Sequence, residues 1–176
     1  FFFEQKRTQH GKQEAEQVQN LKLKEEICTI LEKYTQEGTG NSDILNELQD
    51  QFNAIGFVPK KDINTIRNRY HEAVNAFIAS IDGYSEDERS KLILESQLSE
   101  LRNDPMAERK IFQKEQAIRK KISKVENDIS LWKNNLEFFS RSQNADSVRS
   151  EFNEKIKEAT EHLKQLKDQL KLLKTV

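Results

Sequence analysis

The chain has little of what usually punctuates a folded sequence: 176 residues carry two prolines, five glycines and one cysteine. With Cys28 alone, an internal disulfide is excluded. It lies among Ile27, Ile30 and Leu31 at helical spacing, so it reads as a small buried hydrophobe. A reactive thiol needs exposure and a cationic neighbour. No segment reaches the roughly 18 apolar residues of a membrane span. Neither sign of charge dominates, the formal net charge being −1, which argues against a general attraction to nucleic acid or membranes. There is no Gly-rich phosphate loop, no serine in a strained turn and no Cys-x-x-Cys. Ser130-Leu131-Trp132-Lys133 spells Ser-x-x-Lys, but it sits in the middle of a heptad run, where the match is coincidence.

Metal chemistry is equally poorly provided for. His10, His71 and His162 fall on three separate helical segments. Glu158 and His162 share a helix face, yet no second ligand pair faces them, and a metal site needs three or four converging ligands. The expectation is therefore no cofactor, no metal, no catalytic residue and no enzyme. Absence of disulfides and of a membrane span suits a cytoplasmic protein.

What the sequence does contain is helix. Charged residues make up 34% and hydrophobic residues 35%, the balance of helices that each bury one stripe. Residues 4–17 are polar except for Ala15. An apolar stripe then runs through Val18, Leu21, Leu23, Ile27, Ile30, Leu31 and Tyr34. Gly38 is expected to cap that helix and Ser42 to start the next. The second stripe is Ile44, Leu45, Leu48, Phe52 and Ile55. Gly56 offers a positive φ, and Pro59 suits the first turn of a third helix carrying Ile63, Ile66, Tyr70, Val74, Phe77 and Ile81.

The run Ile55-Gly56-Phe57-Val58-Pro59-Lys60-Lys61, followed by an aromatic helix, resembles a bacterial helical-repeat family known as domain of unknown function 349. The resemblance covers about residues 18–81 and implies an architecture without an activity. In that family a unit ends in a helix with a terminal aromatic pair, here Phe77-Ile78. Phe1-Phe2-Phe3 looks like the end of a preceding unit, so the chain is expected to be part of a longer protein. Phe52 and Tyr70 stand where the family has other large aromatics, and both read as core plugs.

Ser85 and Glu88 form a capping box that opens a fourth helix, with Leu92, Ile93, Leu94, Leu98 and Leu101 as its stripe. Asp104-Pro105 should start another. From there two heptad runs follow: Ile118, Ile122, Val125, Ile129, Trp132, Leu136, Phe139, and then Phe152, Ile156, Ala159, Leu163, Leu166, Leu170, Leu173. A polar turn at 140–147 separates them. Antiparallel partners share a constant sum of residue numbers, and a sum of 288 aligns six layers from Leu136 with Phe152 to Ile118 with Leu170. The fold class expected is all-α: a preceding-repeat end and polar helix (1–17), a three-helix repeat bundle (18–84), a connecting helix (85–104) and a long antiparallel coiled-coil hairpin (105–176).

Local charge supplies candidate contacts although the whole chain is neutral. Residues 106–124 and 155–176 together carry an excess of eight positive charges, and the hairpin sets them side by side. Residues 85–104 hold six anions against three cations, an acidic segment that offers the patch an alternative docking site. Lys110, Lys114, Arg119, Lys120, Lys121, Lys167 and Lys171 are the candidate phosphate or partner contacts there. Lys60, Lys61, Arg67 and Arg69 form a smaller cluster, with Lys60 and Lys61 placed where cations oppose a helix dipole. Phe138 lies off the heptad seam at the hairpin tip and is a candidate partner contact. The leading expectation is a non-enzymatic helical scaffold or protein-interaction module. The alternative is a nucleic-acid-associated protein that grips the phosphate backbone through the basic base of the coiled coil. Protein is the expected partner, nucleic acid the second, and membrane none; oligomeric state is left open.

Overall fold

The computed structural model describes residues 1–139, 141 and 146–175. Its elements are α1 (Phe2–Glu37), α2 (Ser42–Ala54), a 3-10 turn (Lys60–Asp62), α3 (Ile63–Ser80), α4 (Glu86–Glu100), a second 3-10 turn (Leu101–Asn103), α5 (Ala107–Phe139) and α6 (Asp146–Lys174). There is no strand among the described residues, and the fold is all-α. The chain divides into two compact units, Phe1–Glu100 and Leu101–Val176.

In the first unit α1 packs on α2 and α3, and α4 packs on α2 and α3. The face that α1 buries is Ile27, Cys28 and Leu31, with Leu21 and Tyr34 partly covered. Val18, Leu23 and Ile30, expected in the stripe, are exposed. Residues 27, 28, 31 and 34 follow one face at 3.6 residues per turn; 23 and 30 fall on its flank and 18 on its far side. Residues 1–16 are exposed on every face, so roughly the first 24 Å of this helix, at 1.5 Å per residue, touches no core.

Gly38 closes α1 as expected, at φ 66°, its N–H donating to Tyr34 O. The next cap differs from expectation. Asn41, not Ser42, is the N-cap: its backbone is extended and its Oδ1 accepts from the Ile44 N–H at 2.9 Å. Ser42 becomes the first helical residue. Gly56 does not take a positive φ, which among the described residues is confined to Gly38 and Gly83. Its missing side chain serves proximity instead: a Cβ there would lie 3.2 Å from Asn20 Nδ2. Pro59 opens the short 3-10 turn, and α3 itself starts at Ile63.

The core is plugged by aromatics. Phe52 stacks on Tyr70 with ring centroids 3.7 Å apart. Phe77 and Ile78 are fully buried, and Tyr34 meets Phe77 edge-on at 6.3 Å. Gly40 leaves room for the Phe77 ring, since a Cβ at that position would overlap it at 2.4 Å. The Ser85–Glu88 box forms reciprocally, Ser85 N–H to Glu88 Oε2 at 2.7 Å and Glu88 N–H to Ser85 Oγ at 3.2 Å. On α4, Leu94 and Leu98 are buried, whereas Leu92 and Ile93 are half-buried. A buried polar pair also joins α2 to α4, Gln49 Nε2 donating to Ser96 Oγ at 2.6 Å.

In the second unit Asp104 caps the turn ahead of α5 by accepting from the Met106 N–H at 2.8 Å. Helices α5 and α6 run antiparallel. Phe139 stacks on Phe152 (5.9 Å) at one end, and Lys167 pairs with Glu126 (3.6 Å) further along, so residue numbers rise on one helix as they fall on the other. These contacts depart from the expected sum of 288: they sum to 291 and 293, so Phe152 meets Phe139, the seam residue after Leu136, and the register is shifted from the expected one. Every heptad position on both helices is buried or half-buried. The turn expected at 140–147 falls mainly on residues outside the described ones.

Candidate partner-binding and phosphate-binding surfaces

The segment that follows α2 carries apolar side chains with opposite fates. Ile55 is half-buried and Val58 buried, while Phe57 between them is 86% exposed. Its backbone is nevertheless fixed. Asn20 of α1 donates from Nδ2 to the Phe57 carbonyl at 2.8 Å. A large aromatic side chain is thus held in solvent by an anchored loop, beside the exposed Lys60 and Lys61. Reasoning from sequence passed over Phe57 as the variable position of the motif. The spacing carried no signal for it, since period-two alternation would set Phe57 on the same side as the half-buried Ile55.

The cations nominated from sequence have different fates. Arg69 is committed to α1: Nε donates to Glu32 Oε1 at 3.0 Å, and Nη2 to Glu32 Oε2 at 3.1 Å and Thr29 Oγ1 at 3.2 Å. The guanidinium holds the Glu32 carboxyl below its ordinary value. Arg67 is exposed on α3. Burial first, and then the Arg67 charge, lower the pKa of Lys24, whose ammonium sits 4.7 Å from the Phe52 ring centroid. Lys110 pairs with Asp104 at 2.5 Å, and Lys114 is half-buried on α5. Lys120 and Lys121 are exposed.

Part of this set does converge. Arg119, Ile122 and Ser123 of α5 face Lys167, Leu170, Lys171 and Lys174 of α6 across one open groove. A second groove shares Arg119 and Ser123 and adds Lys120 and Lys124. Arg119 donates to Glu115 one turn back, at 2.8 Å and 3.1 Å. Phe138 is 76% exposed, its ring meeting Phe139 edge-on at 5.5 Å. Leu131, seven residues earlier on the same face, is also exposed.

Cys28 is fully buried, and burial pushes its thiol up to about 11, the reverse of activation. Burial likewise raises Tyr70. His10 pairs with Glu14 (3.3 Å) and His71 with Glu100 (2.5 Å). Among the described residues no three His, Cys, Asp or Glu side chains converge on a common point. No helix among them is long and apolar enough to cross a membrane.

Residues 1–61 match the model of the family described as Domain of Unknown Function (DUF349). That segment belongs to the family. The match spans α1, α2 and the Ile55–Lys61 motif, including Asn20 and Phe57. It begins at Phe1, so Phe1-Phe2-Phe3 fall inside the matched span, and it ends before the aromatic helix α3. In a helical repeat the unit can be cut at any phase, so the family's span and the packed bundle need not share their ends. No curated protein and no solved structure matches the chain.

Proposed function

We propose that the chain is a non-enzymatic helical module that binds a protein partner through the anchored Phe57 loop, working in a bacterial cytoplasm. The observation that carries this reading is the combination of full exposure and fixed backbone at Phe57. A single exposed apolar side chain is ordinary on a protein surface, but an aromatic whose backbone is already ordered binds with less entropic cost. Aromatics are enriched in the buried centres of protein interfaces and the rim around them is polar, a place that Lys60 and Lys61, three and four residues on, can take. The absence of an enclosed cavity among the grooves described, and the inert settings of Cys28 and Tyr70, favour binding over catalysis. The long exposed segment of α1 and the hairpin tip at Phe138 give further surface for the same partner or for others.

The test is affinity capture from the source cell with wild-type protein and with Phe57→Ser, followed by reconstitution with the purified candidate. Wild-type is expected to bind a discrete protein, and the variant to lose it by tenfold or more in affinity. Thermal stability should change by less than about 0.5 kcal/mol, since an exposed side chain is replaced. Equal binding by both proteins would remove Phe57 from the interface.

A further inference from the structure

Beyond that protein-binding surface, we infer that the groove between α5 and α6 is a binding site for the phosphate backbone of a nucleic-acid duplex, read without regard to base sequence. It is lined by the seam residues Ile122 and Leu170, by Ser123, and by Arg119, Lys167, Lys171 and Lys174; no carboxylate lines it. With the adjoining groove and the ion-pair partners counted, six cations stand against three carboxylates, Glu115, Glu126 and Asp128. That local excess exists in a chain whose net charge is −1, so the positive charge is segregated to one surface of the hairpin.

The arrangement suits a linear polyanion. Lys167, Lys171 and Lys174 are spaced i, i+4, i+7, which puts their Cα atoms about 6 Å and 4.5 Å apart along the axis of a straight helix. Cations on the facing helix run alongside them. A duplex presents one negative charge per roughly 1.7 Å of its axis, and each phosphate neutralised by a lysine releases condensed counterions. Single strands are disfavoured, because no aromatic side chain lines either groove to stack a base. Base-edge readout is not provided for, the cations being flexible lysines on a shallow surface. An acidic protein is disfavoured too, because the groove offers no deep apolar pocket for an anchoring side chain.

The experiment is fluorescence anisotropy of a labelled 20-base-pair duplex with the full chain, at 50 and 200 mM salt. Wild-type is expected to bind at low salt and to weaken steeply at the higher concentration. Replacing Lys167, Lys171 and Lys174 together by Gln should abolish measurable binding or flatten the salt dependence by about two to three units of log–log slope, close to 0.9 per lost contact. The same three positions changed to Arg should keep binding, which separates charge from packing of α6. Circular dichroism confirms that each variant remains helical. Lys60→Gln with Lys61→Gln, in the other unit, should leave duplex binding unchanged. No duplex binding at 50 mM salt overturns the inference. So does binding that survives the Gln triple variant, or duplex binding displaced equally well by polyglutamate at matched charge.

Discussion

The two units solve the problem of a charged, helix-rich sequence in different ways. The Phe1–Glu100 unit surrounds a few aromatic plugs with three or four helices, so Phe77 and Tyr70 are sealed from water. The described residues of the Leu101–Val176 unit form two α-helices, and a two-helix seam cannot close around its own side chains. Trp132, Leu136, Phe139 and Phe152 all remain half-exposed, and full burial is reached at Ile118, Ile129, Ala159, Leu166 and Leu173. A bundle therefore concentrates its stability at points, while a hairpin distributes it along a length. The surfaces follow suit: the bundle offers one anchored aromatic, the hairpin a groove with charged walls.

Deep truncation in the bundle should have the largest effect. Phe77→Ala leaves a cavity in fully buried surroundings and is expected to cost about 3–5 kcal/mol. Hydrogen exchange should show α1–α3 deprotected while α5 and α6 keep their protection, and equal deprotection of both units would break the contrast drawn above. Gly40→Ala acts at the same point from the other side. The new Cβ overlaps a ring that has no room to retreat, so a loss of up to about 3 kcal/mol is expected in chemical denaturation.

Leu166→Ala tests the hairpin. Its burial resembles that of the bundle core, but its neighbours are flanked by solvent and can close the gap, so the loss should fall near 2 kcal/mol, the low end for such a change. A loss as large as that of Phe77→Ala would show that the seam also concentrates its stability.

The smallest effect concerns pH. Arg69 lowers the Glu32 pKa below its ordinary 4.5, so the folded state binds that proton less readily than the unfolded state does. The stabilisation is present above pH 4.5 and is lost as pH falls through the lowered folded value. Both side chains are more than a third exposed, which limits the contribution to below about 1 kcal/mol. Arg69→Gln should flatten the acid side of the Tm–pH curve, and an unchanged acid limb would show the pair to be energetically silent.

Most of the fold was legible from periodicity. Heptad steps located α5 and α6, and the aromatics at 52, 70 and 77 located the bundle core, because both signals come from packing that repeats. Local choices were harder to read. Asn41 and Ser42 are both good caps, and only the backbone at Asn41 decides between them. Gly56 has two physical uses, and the sequence cannot say whether φ or proximity to Asn20 calls for it. Val18, Leu23 and Ile30 match a loose helical pattern, but which face is covered depends on where α2 and α3 dock. The same holds for the candidate contacts. Charge counts pointed to the cations of the hairpin, yet it took geometry to assign Arg69 to Glu32, to draw Lys174 into the groove and to bring out Phe57.

The most direct test of the proposed function is photo-crosslinking in the source cell, with benzoylphenylalanine replacing Phe57 in one protein and the buried Phe77 in a control. The expected result is a discrete protein adduct from position 57 and none from position 77. No adduct from position 57 would contradict the assignment of that loop as the partner-binding surface.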